Sequence, residues 1–228
     1  MKAIEDVAER RFAWLVTQRG CTFVREHELE AAIKVCGPRP DFYVRSPAGP
    51  FIAEVKAFEK AAPLERKGRV FSVGTEQLLR PISGAIHEAR RQLRAYRHLA
   101  IPRVIVLDNW RQVGLDLDDV VLLQLFGQLH FVVPVSTTGG PSGATGLEYG
   151  GGRTLGDDAG TYVSAVLVTV PLQRDARDEF SVERPMRARV VHNPYATVPL
   201  PRSIFASPDD EQLEHVDGAW CKVERSVP

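Results

Sequence analysis

The 228-residue chain has only three cysteines, Cys21, Cys36 and Cys221, scattered and without a CxxC pair or a Cys/His ligand spacing. Reduced, structural thiols are therefore expected, and neither a metal nor a redox role is indicated for them. No run approaches the roughly 20 apolar residues that span a bilayer. The first residues, MKAIEDVAERR, mix acid and base at helical spacing and lack the apolar centre of a secretion signal, so a cytoplasmic chain with no membrane partner is expected. Net charge is also missing: 29 Lys+Arg against 29 Asp+Glu gives a formal charge of +0, and any surface for a polyanion must be a local patch. No GxxxxGK[ST] or GxGxxG sequence sits between a strand and a helix, so no nucleotide-binding loop is present to read.

What the chain does hold is a globular composition, 44% hydrophobic and 25% charged, in a length that fills one domain or a core with an accessory lobe. Ile4, Val7, Ala8, Phe12, Leu15 and Val16 recur at helical spacing over Ala3–Arg19, with Gly20 ending the stripe. Glu5 and Glu9 lie one turn apart beside it. A short helix is expected around Leu29–Val35, and His27 reads as a surface histidine. Arg39–Phe58, RPDFYVRSPAGPFIAEVKAF, reads as two strands joined by a Ser-Pro-Ala-Gly-Pro turn. Side chains alternate along a strand, so Glu54 and Lys56 emerge together while Val55 points towards a core. Asp41 joins them only if the numbers of directly opposed residues sum to an odd value, as with Val44 opposite Phe51 or Ser46 opposite Phe51; a one-residue slip sends it to the far face. Two carboxylates and a lysine on one surface suit a hard divalent cation with a positive charge beside it, the equipment for phosphodiester hydrolysis. The bland alternative is a hairpin with a solvated charged face.

Glu59–Arg80 is charged and aperiodic, and Glu65, Arg66, Lys67 and Arg69 around Gly68 suggest a mobile connection that is either a phosphate contact or a solvated loop. Ser83–Ala100 then carries Ile82, Ala85, Ile86, Ala89, Leu93 and Tyr96 as one stripe, with Ser83 as N-cap. Its opposite side bears Arg90, Arg94 and Arg97, with Arg91 and His98 nearby, a ridge able to neutralise several phosphates. Gln92 and Tyr96 lie on adjacent turns, so both can lean towards the hairpin. Arg103–Leu107, RVIVL, suits a strand buried on both faces, and strand, helix, strand in this spacing argues for a parallel crossover and an α/β core. A second helix over Asp119–Phe126, capped by Asp116 or Asp118, and a strand over His130–Val135 follow. Thr138–Gly160, with nine glycines, reads as a flexible loop. Tyr162–Val170 and Met186–Val191 resume strand chemistry. His192, Asn193 and the prolines after them read as a rigid connection, and the tail from Ser207 as acidic and partly mobile with Trp220 pinned to the body.

Pro40-Asp41, about a dozen residues, then Glu54-Val55-Lys56 resembles the signature of the PD-(D/E)XK nuclease superfamily. Gln92-x-x-x-Tyr96 resembles the QxxxY motif of RecB-type and CRISPR adaptation nucleases. Glu9-Arg10, the apolar helix, Gly20 and Cys21–Val24 are similar to the opening of archaeal Holliday junction resolvases. The resemblance covers about Glu9–Leu107, a little under half of the chain. It implies a restriction-endonuclease-like α/β core, a central mixed sheet flanked by helices, over residues 1–136. A flexible glycine-rich loop over 137–160 and a β-rich C-terminal extension over 161–228, packed on the core, would follow. It also implies a Mg²⁺- or Mn²⁺-dependent nuclease. Asp41, Glu54, the carbonyl of Val55 and Glu9, with Glu5 in reserve, would hold the metal. Lys56 would orient water or stabilise charge, Gln92 and Tyr96 would support the lysine or the substrate, and Arg90, Arg91, Arg94 and Arg97 would contact nucleic acid, DNA foremost. Some of these relatives add four cysteines for an iron–sulfur cluster; with three scattered cysteines, none is expected here. Defence and repair both suit the superfamily, and a homodimer or a larger complex is compatible with either. The alternative function is a catalytically inactive nuclease-like module that binds nucleic acid or a protein partner.

Overall fold

The computed structural model describes residues 2–34, 37–57, 65–67, 70–72, 75–108, 122, 125–126, 129–132, 146–149, 154–156, 159–172, 185–216 and 219–223. Helix α1 spans Lys2–Gln18, and its stripe of Val7, Ala8, Phe12, Leu15 and Val16 is buried. Each large side chain so buried contributes about 1.5–3 kcal/mol. The helix stops as the glycine predicts: Gly20 adopts φ 70°, its amide donates to Thr17 O (3.0 Å), and the Cys21 amide donates to Val16 O (3.0 Å). This pair of bonds answers carbonyls that a helix end leaves open.

Among the described residues, twelve strands follow. They are β1 (Thr22–Arg25), β2 (Phe42–Ser46), β3 (Gly49–Ala57), β4 (Glu65–Lys67), β5 (Val70–Ser72), β6 (Arg103–Asp108), β7 (Leu129–Val132), β8 (Gly146–Tyr149), β9 (Ala165–Pro171), β10 (Met186–His192), β11 (Glu211–Val216) and β12 (Ala219–Lys222). Helix α2 (Thr75–Leu93) lies between β5 and β6. Eight strands form one mixed sheet in the order β1-β2-β3-β6-β9-β10-β11-β12, and β4-β5 and β7-β8 are separate two-stranded ribbons. The parallel crossover expected from sequence runs from β3 through α2 to β6. The molecule is thus α/β, with its C-terminal strands completing the central sheet.

Side-chain alternation divides the core. Phe42, Val44, Phe51, Ala53, Val55, Val104 and Val106 pack on α1, whereas Ile52, Ile105 and Leu107 pack on Ile82, Ile86, Ala89, Leu93 and Tyr96 of the α2 segment. Strand β6 is buried throughout, as a continuous apolar run predicts. Its last residue, Asp108, receives hydrogen bonds from Arg11 of α1 (3.1 Å) and from Thr169 of β9, pinning the helix to the sheet.

Several local expectations give way to tertiary context. Helix α2 begins at Thr75 and not after a Ser83 cap, and it accommodates Pro81 inside it. A proline marks a helix boundary in sequence because it lacks an amide hydrogen, but here the helix continues past it. The segment expected as a helix from Leu29 is a 3₁₀ turn over Glu26–Ala31 anchored by buried Leu29, and Val35 lies outside the described residues. The charged stretch after the hairpin contains the β4-β5 ribbon, and the glycine-rich stretch contains β8 paired with β7. Of the helix expected over residues 119–126, Leu122, Leu125 and Phe126 are described, and the rest lies outside the described residues. The acidic tail supplies β11 and β12, where Leu213 is buried and Trp220 packs on Phe126 with ring centroids 4.5 Å apart.

Arg103 opens β6 with a fully buried side chain. It donates to the carbonyls of Tyr96 (3.0 Å), Leu99 (2.8 Å) and Tyr162 (2.5 Å), so it closes the C-terminal end of the α2 segment, where carbonyls lack helical partners. Burial lowers the pKa of the guanidinium from its ordinary value. Arg103→Met fills much of the volume but removes three hydrogen bonds to backbone carbonyls, of which Tyr96 O keeps the Leu99 amide (3.0 Å), and should cost roughly 2–4 kcal/mol. Urea unfolding with an unchanged slope and a lower midpoint is the expected result.

Candidate metal centre

The β2-β3 turn sets the site. Gly49 takes φ 118°, and Ser46 Oγ accepts from the Ala48 amide (3.2 Å) and donates to Gly49 O (2.7 Å), fixing a two-residue connection. The register that results opposes Val44 to Phe51 and Phe42 to Ala53, an odd sum. Asp41, one residue before β2, therefore comes opposite Glu54. Its Oδ2 accepts the Val55 amide at 2.7 Å, so a carboxylate continues the ladder where the strand pairing ends. Asp41 O accepts the Glu26 amide at 3.0 Å, which secures the other edge of the residue.

Glu54 follows Ile52 onto the α2 face and is only 1% exposed. The Lys56 ammonium lies 2.9 Å from Glu54 Oε1, yet among the described residues neither Glu54 oxygen receives an aligned hydrogen bond. Burial, then the charge of Asp41, pushes the Glu54 carboxyl up to about 8. Burial, then the charge of Glu9, pushes the Asp41 carboxyl up to about 7, against the pull of the Val55 amide. Burial alone would lower the Lys56 ammonium, but the carboxylates of Glu54 and Glu88 outweigh it and hold Lys56 above its ordinary value.

Glu9 stands on α1, 27% exposed, with its Oε2 3.9 Å from Arg25 Nη1. Its charge helps to raise the Asp41 carboxyl from the neighbouring helix. The side chain of Glu5 lies outside the described residues. Val55 points its side chain into the α1 cluster and commits its amide to Asp41. Among the described residues, no group of three or more His, Cys, Asp or Glu side chains is gathered closely enough to hold a metal ion by itself. Asp41 and Glu54 nonetheless fit a hard divalent cation, because both are oxygen donors and burial with only Lys56 as counter-charge leaves the Glu54 carboxyl pushed up. Glu9 and the Val55 carbonyl are the neighbours from which further oxygen ligands would come.

The α2 residues sort differently from the expected ridge. Tyr96 is fully buried in the α2 cluster, and Gln92 is half-buried with an Oε1 that has no hydrogen-bond partner among the described residues. Arg90 is half-buried: its carbonyl accepts the Tyr162 hydroxyl (3.2 Å), and a Cβ added to Gly160 would come 3.4 Å from its Nε. It packs under the segment around residue 160 and does not share the exposure of Arg91, Arg94 and Arg97. Helix α2 stops at Leu93, short of the expected Ala100, and gives way to a 3₁₀ turn over Arg94–Tyr96, so the outward residues are His87 and Arg91 on α2 and Arg94, Arg97 and His98 beyond its end. His27 is exposed, 3.7 Å from Glu28. The residue that sequence reasoning missed is Glu88, whose Oε1 accepts from Lys56 Nζ at 3.0 Å. The available signal was its position one turn before Gln92 on the same flank of the helix.

The raised carboxyls make a pH prediction for metal-free protein. Both groups prefer to be protonated in the fold, so the stability they contribute is fully present below their ordinary values. It is lost as pH rises through about 7 for Asp41 and about 8 for Glu54. In chelator, the urea midpoint should fall between about pH 4 and about pH 8, and Glu54→Gln should flatten that fall. An equal fall in the variant would remove Glu54 as its source.

No known protein family matches the chain, and no curated protein does. Among solved structures, that of Pyrococcus furiosus SfsA in complex with Ca²⁺ aligns at 21% identity with a TM-score of 0.20, over 47% of this chain and 39% of that one. The chain thus spans well under half the length of that protein, and a likeness this partial says nothing of fold or activity.

Proposed function

We propose that the chain is a metal-dependent nuclease of the PD-(D/E)XK kind, built on a restriction-endonuclease-like core of α1, the β2-β3 hairpin, α2 and β6. The observation that carries the proposal is the odd hairpin register, which sets Asp41 opposite Glu54 and puts Lys56 on the same face. A strand pair that served only as structure gains nothing from burying Glu54 against the charge of Asp41 with a single ammonium, Lys56, beside it.

Asp41 and Glu54, with Glu9 and the Val55 carbonyl, would hold Mg²⁺ or Mn²⁺. Such an ion, when bound, supplies Lewis-acid polarisation and a lowered pKa for water. Lys56 is held above its ordinary pKa, so it is an ammonium at neutral pH. Its part is therefore to donate hydrogen bonds to the attacking water or to the phosphate oxygens, and not to act as a base. Water oxygen bonds to phosphorus as the phosphorus–oxygen ester bond breaks, and of the two water protons one ends on the leaving oxygen as a hydroxyl and the other on the new phosphomonoester or bulk water. Gln92, with an unmet carbonyl oxygen one turn beyond Glu88, would orient water or the substrate strand. Arg91, Arg94 and Arg97 supply the basic surface that the chain's zero net charge does not, which favours nucleic acid, with DNA the first substrate to test.

With Mg²⁺ or Mn²⁺ and single-stranded, duplex or branched DNA, wild-type protein should cut, whereas Asp41→Ala and Lys56→Ala should each lose at least about a hundredfold in rate. Binding without cleavage in both metals would instead assign a nuclease-like binding module. Replacing Arg91, Arg94 and Arg97 together by glutamine should weaken DNA binding and reduce the slope of log affinity against log salt by about one for each phosphate that is no longer neutralised. An unchanged slope would place the nucleic acid elsewhere.

A further inference from the structure

We infer that Glu88 is a positioning residue for Lys56, an inference that rests on the nuclease reading of this site. Lys56 stands on β3 and Glu88 on α2, 32 residues later, and their side chains meet at 3.0 Å. The same ammonium lies 2.9 Å from Glu54 Oε1. One cation is thus held from two directions, by a strand carboxylate 1% exposed and by a helix carboxylate 55% exposed. A lysine side chain has freely rotating bonds and a compact charge, so one anchor leaves the ammonium an arc to sweep, and two anchors give it a place.

The two anchors have unequal duties. Glu54 is the carboxylate that a divalent cation would recruit, and an oxygen engaged with a cation has less to offer an ammonium. Glu88 lies on the solvent side of Lys56 and is then the partner that keeps the ammonium in position. Its exposure also separates this duty from folding. An ion pair with a half-exposed member adds little to stability, and Glu88 is no part of the apolar cluster beneath α2. Removing the carboxylate should therefore disturb the lysine and spare the fold.

The test uses full-length protein labelled with ¹⁵N-lysine, with the side-chain ammonium signal of Lys56 assigned by its absence in Lys56→Gln, and Mg²⁺ alone as the probe. Wild type should show a slowly exchanging Lys56 signal that persists in saturating Mg²⁺. Glu88→Ala should lose it, most completely with Mg²⁺ present, and Glu88→Asp should recover it in part, all with unchanged melting temperature. On duplex DNA, Glu88→Ala should lower kcat about tenfold with KM within about twofold, and Glu88→Asp should restore part of the rate. A Lys56 signal as persistent in Glu88→Ala as in wild type, or an unchanged kcat in a cutting enzyme, would overturn the inference. Should wild type cut no substrate at all, the nuclease reading fails by itself, and the assignment of Glu88 to catalysis goes with it. The ammonium signal would still report separately whether Glu88 anchors Lys56.

Discussion

The hydrogen bond from the Val55 amide to the Asp41 carboxylate is the contact on which the rest of the candidate site depends. It exists because the turn at Gly49 selects a register in which residue numbers sum to an odd value, and it ends the ladder on a carboxylate instead of a carbonyl. With that bond made, Asp41 and Glu54 face one another, both largely withdrawn from water. Their carboxyls rise, and Lys56, two residues along the same face, is drawn to Glu54. A slip of one residue would carry Asp41 to the α1 face and leave Glu54 alone on the other.

Helix α2 closes the site and divides its surface among three jobs. Ile82, Ile86, Ala89 and Leu93 bury one side on Ile52 and Ile105. Glu88 meets Lys56 on one flank, and His87 and Arg91, followed by Arg94 and His98 past the helix end, face solvent. A neutral chain thereby presents a basic stripe on the outward side of this segment. Arg103 holds the far end of the helix by its carbonyls and so limits how α2 can shift over the sheet.

How legible all this was in the sequence follows from the range of each interaction. The α1 stripe, the Gly20 stop, the hairpin and β6 are governed by neighbours within a few residues, so their periods showed in the chain. The odd register was derivable as a requirement, because alternation on a strand is strict. Glu88 was not evident, since its contact with Lys56 depends on how α2 lies on the sheet. Arg90 looked like a member of the ridge because helical spacing alone cannot reveal that the segment around Gly160 covers it. Arg103 at the head of RVIVL resembled a strand boundary, and only the fold shows that it turns inward to three carbonyls. Strands β11 and β12 carry little apolar alternation to betray them, and β11 joins by pairing with β10 and β12 by pairing with β11.

The energetics of the carboxyl pair also bear on why a chain would keep it. Taking ionised carboxylates out of water is costly, and replacing buried ionic groups by apolar ones of similar volume often leaves a protein as stable or more so. Ile52 and Leu107 show that this face of the sheet accepts aliphatic side chains. Glu54 sits in the same layer, nearly as buried, with its oxygens lacking aligned donors and its carboxyl pushed up to about 8. A leucine there would remove the desolvation cost and the repulsion with Asp41 together. A strongly perturbed carboxyl with a specific charged partner, at a position that folding alone would fill with an apolar residue, is what functional sites concentrate.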